Sequence, residues 1–234
     1  MYFVWWDAYL PFVKQSDEKI FFRRKLPHIQ PKESIFFITF RLFGSLPAEV
    51  ISALKEEFES EKRSTSAIMK KEGRFFDPTI LRRRYFERFD DLLEKYSESP
   101  KYLSNPAIAQ IVVDAIDFGN GRRYNTVCFC IMPNHVHLVL DVRGYTVEPY
   151  LKRPSYVLSR IMESLKRHSA RQSNIVLGRV GHFWQKESYD HVVRDGNDLN
   201  NIIRYIIDNP VKAGLISSPD KWKWSYVNEN YFIL

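Results

Sequence analysis

Cysteine is nearly absent from the 234-residue chain: there are two, Cys128 and Cys130, spaced two apart. On a strand that spacing suits neither a typical disulfide nor, without further cysteines, a zinc site. Buried free thiols in a reducing cytoplasm are the expectation. No apolar run reaches the roughly 18 residues of a membrane span. Met1 to Val13 is aromatic-rich, but it lacks a basic leading region and contains Asp7, so it does not read as a signal peptide. Internal repeats, low-complexity tracts and flexible linkers are missing too, which argues against solenoids and disordered arrays. The expectation is one cytoplasmic domain spanning residues 1–234, with no membrane partner.

What is present supports a packed core: 44% of residues are hydrophobic and 15% aromatic. The net charge of +7 is uneven. Residues 1–150 carry 22 Lys and Arg against 20 Asp and Glu, or +2; residues 151–234 carry 13 against 8, or +5. A basic excess confined to the last third points to a polyanionic partner there.

Residues 1–34 read as irregular, punctuated by Pro11, Pro27 and Pro31, with a basic cluster at Arg23, Arg24 and Lys25. Ile35 to Leu42 is a dense run of strand formers. Ser45-Leu46-Pro47 opens a helix on which Val50, Leu54 and Phe58 keep helical spacing. Residues 60–100 are highly charged and broken by Gly73 and Pro78. They read as a helical insertion in which Arg82, Arg83 and Arg84 lead into an amphipathic helix with Phe86, Phe89, Leu92 and Leu93. A helix over about Pro106–Phe118 precedes two strands, Tyr124–Met132 and His135–Asp141, separated by Pro133-Asn134 and therefore expected to be antiparallel neighbours.

Ser155 is placed to cap a helix to about Arg171, with Leu158, Ile161 and Leu165 on one side and Arg160, Arg167 and Arg171 on the other. That arginine stripe suits phosphate contact or a solvated face. Gly181–Gln185 reads as a loop and Ser188–Arg194 as a short strand, and a helix runs from Asp198 until Pro210 ends it. The tail, Lys221–Tyr226, interleaves lysines with aromatics, a pattern for closing a core or stacking bases. The order fits one α+β domain with helices on an antiparallel sheet.

Two features carry chemistry. His135 and His137 stand two apart on a strand, so both rings face the same way. They supply half of a metal site, an acid/base pair or two core histidines. On the later helix Tyr205 and Asn209 stand four apart at the edge of an apolar stripe. Tyrosine is a nucleophile type, and asparagine is a neutral oxygen ligand suited to Mg²⁺ or Mn²⁺. A tyrosine in the core and a helix-stopping Asn-Pro are the plainer accounts of the same residues.

Four separated motifs occur in order: P-N-H-V-H at Pro133–His137, W-Q at Trp184-Gln185, Y-D-H-V-V-R-D at Tyr189–Asp195, and Y-I-I-D-N-P-V-K-A-G-L at Tyr205–Leu215. Together they resemble the REP-associated tyrosine transposases, of the single-tyrosine group of HUH nucleases. The resemblance runs from about residue 22 to the C-terminus, apart from the charged insert. It implies a ferredoxin-like split β-α-β with an antiparallel sheet and helices on one face. His135, His137 and Asn209 would bind Mg²⁺ or Mn²⁺, with Asn standing where relatives that move insertion sequences commonly have Gln. Tyr205 would be the nucleophile, forming a 5′-phosphotyrosine on single-stranded DNA beside a hairpin and freeing a 3′-hydroxyl. Arg160, Arg167 and Arg171 are the expected stem-binding residues, Tyr189 is the next candidate nucleophile, and the protein is a monomer or homodimer. The alternatives are a domesticated DNA-hairpin binder with little or no cleavage and a metal-dependent hydrolase of small phosphoesters.

Overall fold

The computed structural model describes residues 20–23, 27–30, 33–76, 78–145 and 157–231. Met1–Val13, Arg24, Lys25, Pro31 and Ser155 lie outside the described residues.

Where an irregular lead was expected, two short strands, β1 (Ile20–Arg23) and β2 (Pro27–Gln30), pair antiparallel. Four-residue strands with a proline at one end give too short an alternation to be recognised from pattern. β3 (Ile35–Arg41) follows, then α1 (Ala48–Lys71) and α2 (Thr79–Lys95), packed on each other. Pro47 stands just before the first helical residue, where its missing N–H costs nothing. α1 runs well past residue 60, so the charged stretch holds its second half as well as α2. α3 (Pro106–Asp117) is capped by the Asn105 side chain, which accepts from Ala107 N.

β4 (Asn125–Ile131) and β5 (His135–Asp141) form the expected antiparallel pair across Pro133-Asn134. α4 (Val157–Val176) extends five residues beyond its expected end, and β6 (Tyr189–Val192) is shorter than read. α5 (Gly196–Lys212) is capped by Asp195 and contains Pro210 rather than ending at it. Apolar burial of Ile202, Ile203 and Ile206 holds the helix together up to the proline, and Ala213 N still bonds to Asn209 O. β7 (Ser225–Val227) closes the sheet beside β4, with Trp222 Nε1 donating to Ile131 O, so the aromatic tail locks the core.

The five strands lie in the order β6-β3-β5-β4-β7, and every pairing is antiparallel. β3, β4, β5 and β6, with α3 and α4 as crossovers, make the ferredoxin-like β-α-β-β-α-β arrangement. Phe36, Ile38, Phe40 and Leu42 of one parity meet Val136, Leu138 and Leu140, and α3 and α4 cover them. The expectation of helices on one face describes these two only. Ile35, Phe37 and Val139 make the opposite parity apolar as well, and α5 with Phe86 of α2 covers that second face. A strand reading I-F-F-I-T-F has no water-facing side, so both faces need a helical layer.

Candidate active site

His135 and His137 sit on the second face, beneath α5 and α2. The β3–β5 register sets Thr39 opposite His137 and Arg41 opposite His135. Asn134 fixes the first ring. Its Nδ2 donates to the Leu93 carbonyl at 2.7 Å and to Ser99 Oγ at 2.8 Å. A carbonyl only accepts, so the amide orientation is settled, and Oδ1 faces His135 Nδ1 at 2.6 Å. That nitrogen therefore carries the proton. Burial, with His137 beside it, pushes the His135 pKa down to about 3. The ring is neutral and its Nε2 presents a lone pair.

That lone pair points at His137 Nε2, 3.1 Å away. Thr39 Oγ1 lies 2.8 Å from His137 Nδ1 and can donate or accept. When the hydroxyl accepts, both Nε2 lone pairs converge on one spot, an arrangement that calls for a cation. When it donates, the His137 Nε2–H donates a hydrogen bond to His135 Nε2.

Asp90 of α2 completes the group. Its Oδ1 stands 3.6 Å from His135 Nε2 and 3.4 Å from His137 Nε2 and has no hydrogen-bond partner. Its Oδ2 accepts from the Tyr205 hydroxyl and, at 3.2 Å, from Asn209 Nδ2. Burial alone would raise this carboxyl; His137, His135 and the Tyr205 hydroxyl outweigh it and hold Asp90 well below the usual carboxylate range. Tyr205 is pushed strongly up, first by burial and then by the Asp90 charge. Its ring is wedged between His137 and Phe86, at centroid distances of 5.7 and 5.9 Å, with Lys212 Nζ 4.4 Å from its own centroid. Asp90, His135, His137 and Asn209 are each at most 2% exposed.

The donor set fits a small divalent cation. The ligand atoms of Asp90, His135 and His137 all lie within 4.8 Å of one another. Neighbouring ligands at about 2.1 Å from an octahedral ion stand about 3.0 Å apart, close to the 3.1 Å between the imidazole nitrogens. Asp90 Oδ1 and Asn209 Oδ1 are buried oxygens without hydrogen-bond partners, as ion-facing atoms would be.

The structure thus brings His135, His137, Tyr205 and Asn209 together, each from the element expected to carry it. Arg160, Arg167 and Arg171 are exposed on α4, which covers the other face of the sheet, so the stripe and the histidines lie on opposite sides. Tyr189 stacks on Phe86 at 4.4 Å and, like Tyr205, is raised by burial. Arg83, Arg84 and Arg88 bond to Glu87, Glu61 and Glu57 on the α1–α2 surface. Sequence reasoning missed Asp90. The signal was there: Phe86, Asp90 and Leu93 follow helical spacing, which sets a carboxylate in the buried stripe.

No family model matches the chain. A Haemophilus influenzae protein named "Putative REP-associated tyrosine transposase" is 30% identical over 103 residues, covering 44% of this chain. The chain spans 58% of that relative's length. A solved structure titled "Structure of the REP associates tyrosine transposase bound to a REP hairpin" superposes with a TM-score of 0.47 at 15% identity, covering 87% of this chain and 80% of that one. The named relative and the four ordered motifs point to the same family resemblance.

Proposed function

We propose that the chain is a metal-dependent, single-tyrosine DNA-cleaving and strand-joining enzyme acting on single-stranded DNA beside a hairpin. One observation carries the reading: the Tyr205 hydroxyl, a carboxylate, an amide and two oriented imidazoles meet in one buried cluster. The resemblance to REP-associated tyrosine transposases supplies the substrate class.

His135, His137, Asp90 and Asn209 would hold Mg²⁺ or Mn²⁺, which supplies positive charge against the oxygens of the scissile phosphate. The remaining work falls to the chain. Tyr205 Oη is the nucleophile, oriented by the hydrogen bond it donates to Asp90 Oδ2, and its proton is lost to solvent as it attacks. Oη forms a bond to phosphorus and the bond from phosphorus to the 3′ oxygen breaks. The departing oxygen takes up a proton, leaving a 5′-phosphotyrosine and a 3′-hydroxyl. Attack by a 3′-hydroxyl on that linkage reverses the exchange, so strands rejoin without an outside energy source. Asn209 Nδ2 steadies Asp90, and the rings of Phe86 and His137 fix the direction of the phenol.

The test is a cleavage reaction on a hairpin with a single-stranded flank in Mn²⁺, run on a denaturing gel and followed by peptide mapping. The expected product is DNA joined to Tyr205, absent with Tyr205→Phe while hairpin binding persists. Tight hairpin binding without any adduct would identify a binder instead, and adduct on Tyr189 would move the nucleophile.

A further inference from the structure

We infer that Arg41 is a phosphate-gripping residue of this site, holding the non-bridging oxygens of the scissile phosphodiester; the inference rests on the strand-cleaving reading above. Arg41 is the last residue of β3, directly opposite His135, and shares a face with Thr39, which touches His137. The residue is only 5% exposed. Nη1 donates to Ser45 Oγ at 2.8 Å, and Cζ lies 5.7 Å from the ring centroid of Phe89, the residue beside Asp90. Among the described residues no carboxylate comes within ion-pair distance of it. Nε and Nη2 make no hydrogen bond there.

That state is unusual within this molecule. Asp90 faces two imidazoles and a phenol, Asp198 meets His191, and Asp141 meets Arg143. Among the described residues Arg41 meets no opposite charge, and Ser45 is its side-chain hydrogen-bond partner. Burial lowers its pKa to about 10, which leaves it cationic at neutral pH, with Tyr85 nearby acting the other way. An unpaired buried cation is costly, and a purely structural arginine in such a place is ordinarily held by a carboxylate. An anion that arrives with the substrate accounts for the missing partner. The free edge of a guanidinium fork matches two oxygens of a phosphodiester. The β3–β5 register puts Arg41 opposite His135, on the face of the sheet that carries the cluster.

Single-turnover adduct formation by wild type, Arg41→Gln and Arg41→Lys tests this on two hairpin substrates, one with a normal scissile phosphate and one with a neutral methylphosphonate there. On the normal substrate, Arg41→Gln should form adduct about 100-fold or more slowly, the scale of removing one transition-state donor. Hairpin affinity should change less than about threefold, because the stem is contacted elsewhere. Arg41→Lys keeps the charge, guards against a folding defect, and should fall between the two. On the methylphosphonate the gap between wild type and either variant should shrink towards unity, which a packing role would not produce. Arg41→Gln within about threefold of wild type, or a gap that persists on the neutral substrate, overturns the role of Arg41. Absence of adduct from wild type itself would sink the strand-cleaving reading, and this inference with it.

Discussion

The two faces of the central sheet solve opposite problems. On one, Phe36, Ile38, Phe40, Val136, Leu138 and Leu140 meet α3 and α4 in an apolar cluster. On the other, Thr39, Arg41, His135, His137, Asp90 and Asn209 are buried among aromatic and aliphatic side chains. Removing that many polar groups from water without need is destabilising. The same two strands build both faces, so the difference lies in side-chain chemistry at alternate positions. The first face holds the sheet rigid. The second uses that rigidity to aim donors at one point.

Removing a side chain from the apolar face should have the largest effect on stability. Leu138 is fully buried there, and Leu138→Ala should cost about 2–5 kcal/mol in urea unfolding. His137→Leu, at the next position but facing the other way, should cost less, about 1–3 kcal/mol in the absence of metal. It leaves the buried Thr39 hydroxyl without its hydrogen-bond partner and takes from Asp90 an imidazole that helps hold its charge. Equal losses of stability in the two variants would erase the distinction between the faces.

Acid should separate them next. The folded His135 pKa, about 3, lies below its unfolded value near 6.5. The stability this group contributes is therefore complete above about pH 6.5 and is lost as pH falls towards 3. Between pH 7 and 4.5 the loss should be about 2–3 kcal/mol by linkage. Glu94 acts in the opposite direction. Burial, then Asp90, raises it to about 7, so its contribution is present below about 4.5 and fades as pH climbs through 7. Comparing wild type with His135→Leu isolates the histidine, and an unchanged pH slope in that variant would contradict its neutral, buried state.

The arginine stripe of α4 extends the comparison to the outer surface. Replacing Arg160, Arg167 and Arg171 by Gln should weaken all hairpins alike. It should also reduce the slope of log K against log salt by up to about 0.9 for each phosphate no longer neutralised. Cleavage at saturating DNA should hardly change, since the sheet separates these residues from Tyr205. An unaltered slope would assign them to a solvated face. The smallest effect belongs to the α1–α2 surface. Arg84→Ala, which breaks an exposed pair with Glu61, should cost less than about 1 kcal/mol and lose even that in high salt.

The two faces were not equally legible in sequence. β5 was placed to the residue because H-V-H-L-V-L is a run of strand formers directly after Pro133-Asn134, and α5 to within three residues because its apolar stripe keeps helical spacing. Asp90 escaped because its helix lies in a charged stretch, where one carboxylate in a buried stripe is easily overlooked among charged neighbours. Arg41 escaped for another reason: a cation at the end of a strand reads as an edge residue until the partner strand and α2 are in place. The second helical layer followed from the lack of any polar side on β3, which only pairing on both of its edges makes meaningful. Strand register sets Arg41 opposite His135, and the packing of α2 on the sheet brings Asp90 to the imidazoles; no local period contains either.

The account turns on the buried polar cluster being a divalent-ion site, and electron paramagnetic resonance of Mn²⁺ added to the metal-free protein tests it most directly. One bound Mn²⁺ per chain is expected, with nitrogen couplings from two imidazoles. His135→Ala and His137→Ala should each lose one coupling, Asp90→Asn should weaken affinity, and Tyr205→Phe should leave the spectrum intact. A wild-type protein that binds no Mn²⁺ at millimolar concentration, or binds it with no nitrogen coupling, would contradict the account.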